Sequence, residues 1–525
     1  LEMDPTLDIA KIYMGERVPW AQELARRSAE LPTWAQTVRE IHMRGLRIIR
    51  WWGENRQADS GALTGNWGDD VELTRSWAPL VTVTGDPEAE ATLRRLIDGA
   101  WKTAEGGLEL GYTKKMSDVE HTAEPTADTQ PWMLVFEPEN QTYVERNMKL
   151  LPLVRDKWSA LSPEGYRRLK SLYFTAREVD ESPANRGDVP YATRAYKGLT
   201  WLLWHGEYPE VEKVWLQMCD GWLEATMREE DGKVAGVVPA AVAYDTGKLG
   251  GPGTWYDSRM RSRLYVFNRA NQMRILNLLT LAYEQTGDIK YMQPLFTCME
   301  TYENYEGPTD IEPETKTPEW QRYKLAEFAR QGAYAAPLLR YRRLSGDSRF
   351  DDYLATASGV TAFHMTGEVG GPVEDLENIL EAPQGFTAPL RYNFPMLTSE
   401  VQSADRAGIP GATLAYALMT GATGRPGDSY SPDHIVTGNQ RNADFGAMVQ
   451  CKRVGEVDVR FVNFDEEDSH YEMNLWNLPE GQYDVKVAGE GEERLSRTVT
   501  MQERGQIVEL DLPAGREWRI TLSRK

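Results

Sequence analysis

Four stretches of the chain share one pattern of apolar and polar positions. "LVTVTGDPEAEATLRRL" around Gly85, "LWHGEYPEVEKVWLQM" around Gly206, "YEQTGDIKYMQPLF" around Gly287 and "RRLSGDSRFDDYLATA" around Gly346 each run from an apolar helical segment through Gly and an acid into a second helical segment. Glycine ends a helix by accepting the left-handed backbone, and the acid or a nearby polar residue opens the next one. "MLVFEPENQTYVERNMKLL" makes the same junction with Pro138 and Asn140. Short connections of this kind join antiparallel helices.

The first helix of each pair (71–83, 131–136, 191–204, 264–283, 325–344 and 410–419) is apolar on all sides, which predicts burial. The second (near 87–102, 139–160, 208–228, 288–305 and 347–363) is amphipathic, which predicts an outer position. The run "LPTWAQTVREIHMRGLRIIRWW" supplies a further outer helix. The chain therefore reads as mainly α, with an (α/α)6 toroid of helical hairpins over 1–425. The extra residues fall between an outer helix and the next inner one, so the long loops gather on one face. "GYRRLKSLYFTAREVD" is β-like and reads as a flap on that face. After about residue 430 the period changes to two, in runs such as "GAMVQCKRVGEVDVRFVNFD", "GQIVELDLP" and "EWRITLSRK". This predicts a small antiparallel β-sandwich over 435–525. "MTGATGRPGDSYSPD" reads as the linker.

Composition narrows the function. The 525 residues carry a net charge of −21, which argues against nucleic acid and anionic membranes as partners. An anionic small ligand stays open, because charges beyond roughly 8–10 Å are screened at physiological salt. No stretch approaches the length of a membrane span, so no membrane insertion is expected. Cys219, Cys298 and Cys451 are scattered and form no disulfide framework or CxxC metal motif. The 17 tryptophans suit both helix packing and a sugar cleft, where an indole face stacks on a pyranose. "LEMDPTLDIA" is not a signal peptide.

The loop face holds the candidate chemistry. In "TGNWGDDVELTRSW", Asn66, Trp67, Asp69 and Asp70 open an inner helix, with Asp69 and Glu72 placed as a capping box. "SDVEHTAEPTADTQPW" contributes Glu120, His121, Glu124 and Asp128, and His121 has the pKa for proton transfer near neutrality. "GPGTWYDSRMRSRLYVFNRANQ" crowds Arg259, Arg261, Arg263 and Arg269 among Tyr256, Tyr265 and Asn268. Arginine forks bind carboxylate or sulfate bidentately, so this stretch reads as a subsite for an acidic sugar. Tyr191, Arg194 and Lys197 add charge and an aromatic platform. No cofactor or metal is expected. Oxygen ligands at Asp69, Asp70 and Glu124 would suit Ca²⁺, but their spacing is not that of an EF-hand.

A helical toroid with a C-terminal β domain resembles carbohydrate-active enzymes, namely the six-hairpin glycoside hydrolases and the toroid polysaccharide lyases. "WGDDVELTRSWAPLVTVTGD" looks like the corresponding run of the unsaturated uronyl hydrolases. That resemblance implies that an Asp opening an inner helix, Asp69 or Asp70, is the catalytic acid. Asn66, Trp67 and Glu72 are also similar to the Asn-Trp…Glu run of hyaluronate-type lyases. The expected activity is cleavage of glycosidic bonds in a uronate-containing or sulfated poly- or oligosaccharide. Hydrolysis would pair Asp69 or Asp70 with Glu124 or Asp128. β-Elimination would use His121 or Tyr256 as base, with Asn66 and Arg259–Arg263 neutralising the uronate. A non-catalytic glycan-binding toroid is the third reading. A glycan-degrading role carries the expectation of a secreted or periplasmic, bacterial-type protein.

Overall fold

The computed structural model describes residues 30–63, 67–103, 108–109, 112–260, 265–357, 359–381, 407–438, 444–466, 468–489, 491–502 and 504–525. The fold is mainly helical, with antiparallel sheets toward the C-terminal end. The chain divides into two compact units. One holds Leu1–Gly99, Arg342–Arg425 and Asp433–Lys525; the other holds Ala100–Tyr341 and Pro426–Pro432. No helix among the described residues is long and apolar enough to cross a membrane.

In the first unit the expected Gly–acid junction forms as the sequence dictates. Helix Thr74–Thr84 ends on Gly85 in the left-handed conformation, at φ 62°. Asp86 then accepts the Ala89 amide at 2.9 Å and opens Pro87–Thr103. That second helix buries Ala89, Leu93, Leu96 and Ile97 and exposes its charges. The C-terminal strands form a five-stranded sheet in the order Phe445–Arg453, Glu456–Asn463, Glu517–Arg524, Gly481–Gly489, Glu492–Met501. A three-stranded sheet runs Gln506–Leu512, Ser469–Leu475, Val436–Gly438. All the pairings are antiparallel. Phe445–Arg453 is buried on both faces because helix Thr33–Asn55 lies on it. A Cβ on Gly446 would come within 2.5 Å of the Ala35 carbonyl, so only glycine permits this approach. Arg39 closes on Asp444 in the same contact, and His42 meets the Phe445 ring at 6.0 Å.

In the second unit, Lys197–His205 is buried along Lys197–Trp204, as its apolar sequence predicts. Pro209–Met227 packs against it and against Arg269–Thr286. Gly287 is left-handed at φ 67°, and Asp288 caps Lys290 at 3.0 Å. Asn140 caps Thr142 at 3.1 Å. Three expectations are corrected. Gly206 is extended at φ −172°, and its partner helix is started by Pro209 without a side-chain cap. The single helix expected over 325–344 is broken into Pro318–Arg330 and Ala335–Ser345, because Gly332, just past the Gln331 C-cap, adopts φ 71° and turns the chain. The expected flap is packed, not free: Arg167–Leu169 pairs with Ser159–Leu161, and Tyr173–Phe174 pairs with Ser117–Asp118. Phe174 is buried against Trp158 and Tyr112.

Candidate functional site

Helix Val119–Ala127 organises the site. Asp118 is its N-cap, accepting the His121 amide at 3.1 Å while the His121 ring Nδ1 meets the same oxygen at 2.7 Å. Spacing by four sets Glu120, Glu124 and Asp128 on one face. Opposite them, the turn Pro190–Tyr196 and the start of Lys197–His205 present Tyr191, Arg194 and Lys197 at spacing three.

The two rows interlock. Arg194 Nη2 donates to Asp128 at 2.6 Å and to Glu124 at 3.1 Å, while Nη1 donates to the Tyr191 hydroxyl at 3.3 Å. Tyr191 donates onward to Glu120 Oε1 at 3.0 Å. The Arg274 guanidinium, from Arg269–Thr286, lies 4.1 Å from the Tyr191 ring centroid. A strap from much later in the chain, Pro426–Pro432, completes the set. Its Asp428 accepts from Arg274 at 2.5 Å and lies 4.0 Å from Lys197 Nζ, which is also 3.8 Å from Asp128. The strap is held by Trp201 Nε1 on the Gly427 carbonyl at 3.2 Å and by Arg340 on Ser431.

Burial and charge act against each other here. Burial alone would raise the Asp428 carboxyl, but Arg194, Arg274 and Lys197 hold it well below the usual range. Burial alone would weaken the Arg194 cation, but Asp128, Asp428 and their neighbours hold it firmly charged. Burial pushes the Tyr191 phenol up to about 12, with Arg194 and Arg274 offsetting part of the rise. Tyr191 therefore stays protonated and serves Glu120 as a donor. Tyr265 is also raised by burial; its ring sits 6.5 Å from that of Tyr191, and its buried hydroxyl has no hydrogen-bond partner among the described residues.

The network opens to water at its Asp118–His121 end. The His121 side chain is 64% exposed, and Asp118, Glu120 and His121 bring ligand-type atoms within 4.8 Å of one another. Two carboxylates and an imidazole could hold a divalent cation. However, the cap already commits one Asp118 oxygen, and the positive end of the helix opposes a cation there. Proton transfer is the chemistry this arrangement favours.

The other expected residues fall as follows. Asp70 belongs to the first unit, fully buried, and its carboxylate accepts the Leu63 amide at 2.7 Å. Its helix, Trp67–Glu72, already includes Trp67, so Asp69 lies inside the first turn and is not the cap; Glu72 pairs with Arg75 at 2.7 Å instead of closing a capping box. Trp67 is half-buried. Asn66, Arg261, Arg263 and the Asp69 side chain lie outside the described residues. Glu124 and Asp128 are bound by Arg194, so neither they nor Asp70 stand as open Ca²⁺ ligands. Asn268 caps Arg269–Thr286 through the Asn271 amide at 2.8 Å, a structural role. Tyr256 is half-buried against Trp320, and Arg259 is exposed on the loop before Tyr265. Sequence reasoning missed Arg274 and Asp428. An arginine inside an otherwise apolar helix was the available signal for the first; the Gly/Pro/Ser setting of the second reads as linker.

A scan against protein-family models and a search of curated proteins returned no match to this chain.

Proposed function

We propose that the chain is a carbohydrate-active enzyme that hydrolyses glycosidic bonds in an acidic saccharide, its hairpins arranged as an (α/α) toroid. The observation that carries this reading is the group of Asp118, Glu120 and His121, open to water at His121, beside a buried ionic platform. Hydrolysis needs one group to protonate the leaving oxygen and a second to activate water or attack. Glu120 and the Asp118–His121 pair supply two such groups, in place of the Asp69/Asp70 pairing expected from sequence. Tyr191 fixes one oxygen of Glu120 and leaves the other for chemistry. The left-handed glycines at Gly85 and Gly287 support the hairpin repeat on which the toroid rests. A secreted or periplasmic setting goes with a glycan substrate.

A second reading, β-elimination, is favoured by one feature: Asp118 orients the His121 ring as a base would need, and Tyr191, bonded to Glu120 one residue away in sequence, is held protonated as an acid. The two reactions separate in one assay on a panel of uronate-containing glycans. Hydrolysis releases reducing ends alone; elimination also creates an ultraviolet-absorbing double bond. Glu120→Gln and His121→Ala should each lower turnover by about 10²-fold or more. Full activity in both variants would overturn the site assignment.

A further inference from the structure

Lys316 stands over the Tyr256 ring, and Arg259 follows Tyr256 by three residues in the same loop. Arg259 and Lys316 are both exposed, and among the described residues neither side chain makes an ion pair. Both also adopt left-handed backbone, Arg259 at φ 53° and Lys316 at φ 74°, which side-chain-bearing residues rarely do. Such outliers persist only where the surroundings over-determine them.

The Arg259 loop is fixed in this way. Asp257 Oδ1 accepts the Arg259 amide at 2.9 Å, and Ser258 Oγ donates to the Tyr265 carbonyl at 2.9 Å. Met260 is buried in a slot that a Cβ on Gly187 would close, at 2.7 Å from its methyl. Across from this loop, Lys316 Nζ lies 4.8 Å from the Tyr256 ring centroid. The Tyr256 ring is braced edge-on by Trp320 at 5.5 Å and by Trp255 at 5.8 Å. It is a rigid, half-buried aromatic face with a cation on it and another three residues along the chain.

We propose that Tyr256, Arg259 and Lys316 form a subsite for the carboxylate-bearing sugar of the substrate. The sugar carboxylate draws Lys316 off the ring, the Tyr256 face so uncovered stacks on the pyranose, and Arg259 joins Lys316 on the carboxylate. This rests on the saccharide reading above but assigns Tyr256 a platform role in place of a base. Lys316 is new to the site: its sequence setting, "ETKTPEW", is that of a loop before a helix.

Binding of D-glucuronate and D-glucose to the full chain, by calorimetry at low and physiological salt, tests the subsite apart from turnover. D-Glucuronate should bind at least about tenfold tighter than D-glucose, and less tightly as salt rises. Arg259→Met and Lys316→Met should each weaken D-glucuronate about tenfold and leave D-glucose unchanged. Tyr256→Ala should weaken both sugars, while Tyr256→Phe keeps both because the ring face remains. Equal binding of the two sugars, absence of D-glucuronate binding, or unchanged D-glucuronate affinity in Lys316→Met would overturn the proposal. Such a failure would leave hydrolysis of the glycan panel standing, whereas loss of hydrolysis alone would leave the subsite standing.

Discussion

Replacing Asp428 by Asn tests whether the late strap is a structural member of the ionic platform or a bystander. The substitution keeps shape and removes one charge. Asp428 is the only described acid paired with Arg274, at 2.5 Å, whereas Lys197 keeps Asp128 at 3.8 Å. The main consequence is therefore one orphaned guanidinium, with a side chain 21% exposed. Removing one partner of a buried pair costs about 3–5 kcal/mol. Because Arg274 keeps some water and its place on the Tyr191 ring, the lower end, about 3 kcal/mol, is expected. Urea unfolding at pH 7 followed by tryptophan fluorescence is a suitable assay, since Trp201 bonds the residue next to Asp428. Adding Arg274→Met should recover part of the loss, because the orphaned charge is then gone. The sign with pH is also fixed. A carboxyl held below its unfolded value stabilises the fold above that value, near 3.9, and loses the contribution as pH falls through the folded one. The gap between wild type and Asp428→Asn should therefore narrow below about pH 4. A loss within about 0.5 kcal/mol of zero at pH 7, the size of an ordinary surface substitution, would refute the reasoning, as would strict additivity in the double variant.

Three further outcomes are expected. His121→Ala should leave stability within about 0.5 kcal/mol, because the side chain is largely exposed, while abolishing most turnover; equal melting curves with a collapsed rate would establish this. Tyr191→Phe should lower kcat/KM about tenfold, the worth of one hydrogen bond to a charged group, with a larger effect if Glu120 swings away. Burial pushes the His42 imidazole down to about 4 despite Asp86 and Asp444 nearby, so the folded chain keeps it neutral while the unfolded chain takes a proton below 6.5. Stability should fall by roughly 3 kcal/mol as pH drops from 6.5 to 4, and melting curves of His42→Leu should show a shallower fall.

Local rules made the helical repeat legible. A left-handed glycine followed by a capping acid needs only neighbours in sequence, and Gly85–Asp86 and Gly287–Asp288 form it as read. Gly206 shows where that reading stops. Its neighbours, Glu207 and Tyr208, precede a proline at the first helical position, and Pro209 starts the helix without help from a left-handed residue or a cap. Gly332 fails in the opposite direction: an interior glycine in an apolar run was read through, yet it turns the chain. Period two found the strands, but not that Phe445–Arg453 would lie under a helix. That depends on Gly446 meeting Ala35, a contact no local pattern encodes.

The site followed the same division. The rows 120/124/128 and 191/194/197 are visible as helical spacings, and both fell within stretches singled out for their polarity. A double acid at a helix start looks alike in sequence whether it caps, tethers or reacts; the structure adds that Asp70 is buried and accepts the Leu63 amide. What sequence could not supply was the charge balance. Asp128 and Glu124 are taken by Arg194, and Lys197 lies between Asp128 and Asp428. Asp428 then occupies Arg274, across a separation of 154 residues. Among the described residues Glu120 is left with no cation, only the neutral Tyr191 phenol, at the edge where His121 meets water. The strap thus does more than fill a hole. It engages Arg274, the cation over the Tyr191 ring, while Arg194 is engaged by Glu124 and Asp128, and among the described residues Glu120 is left with the Tyr191 hydroxyl alone. An anionic sugar would be repelled by that carboxylate unless its own charge were held elsewhere, the role that the subsite proposed above gives to Arg259 and Lys316.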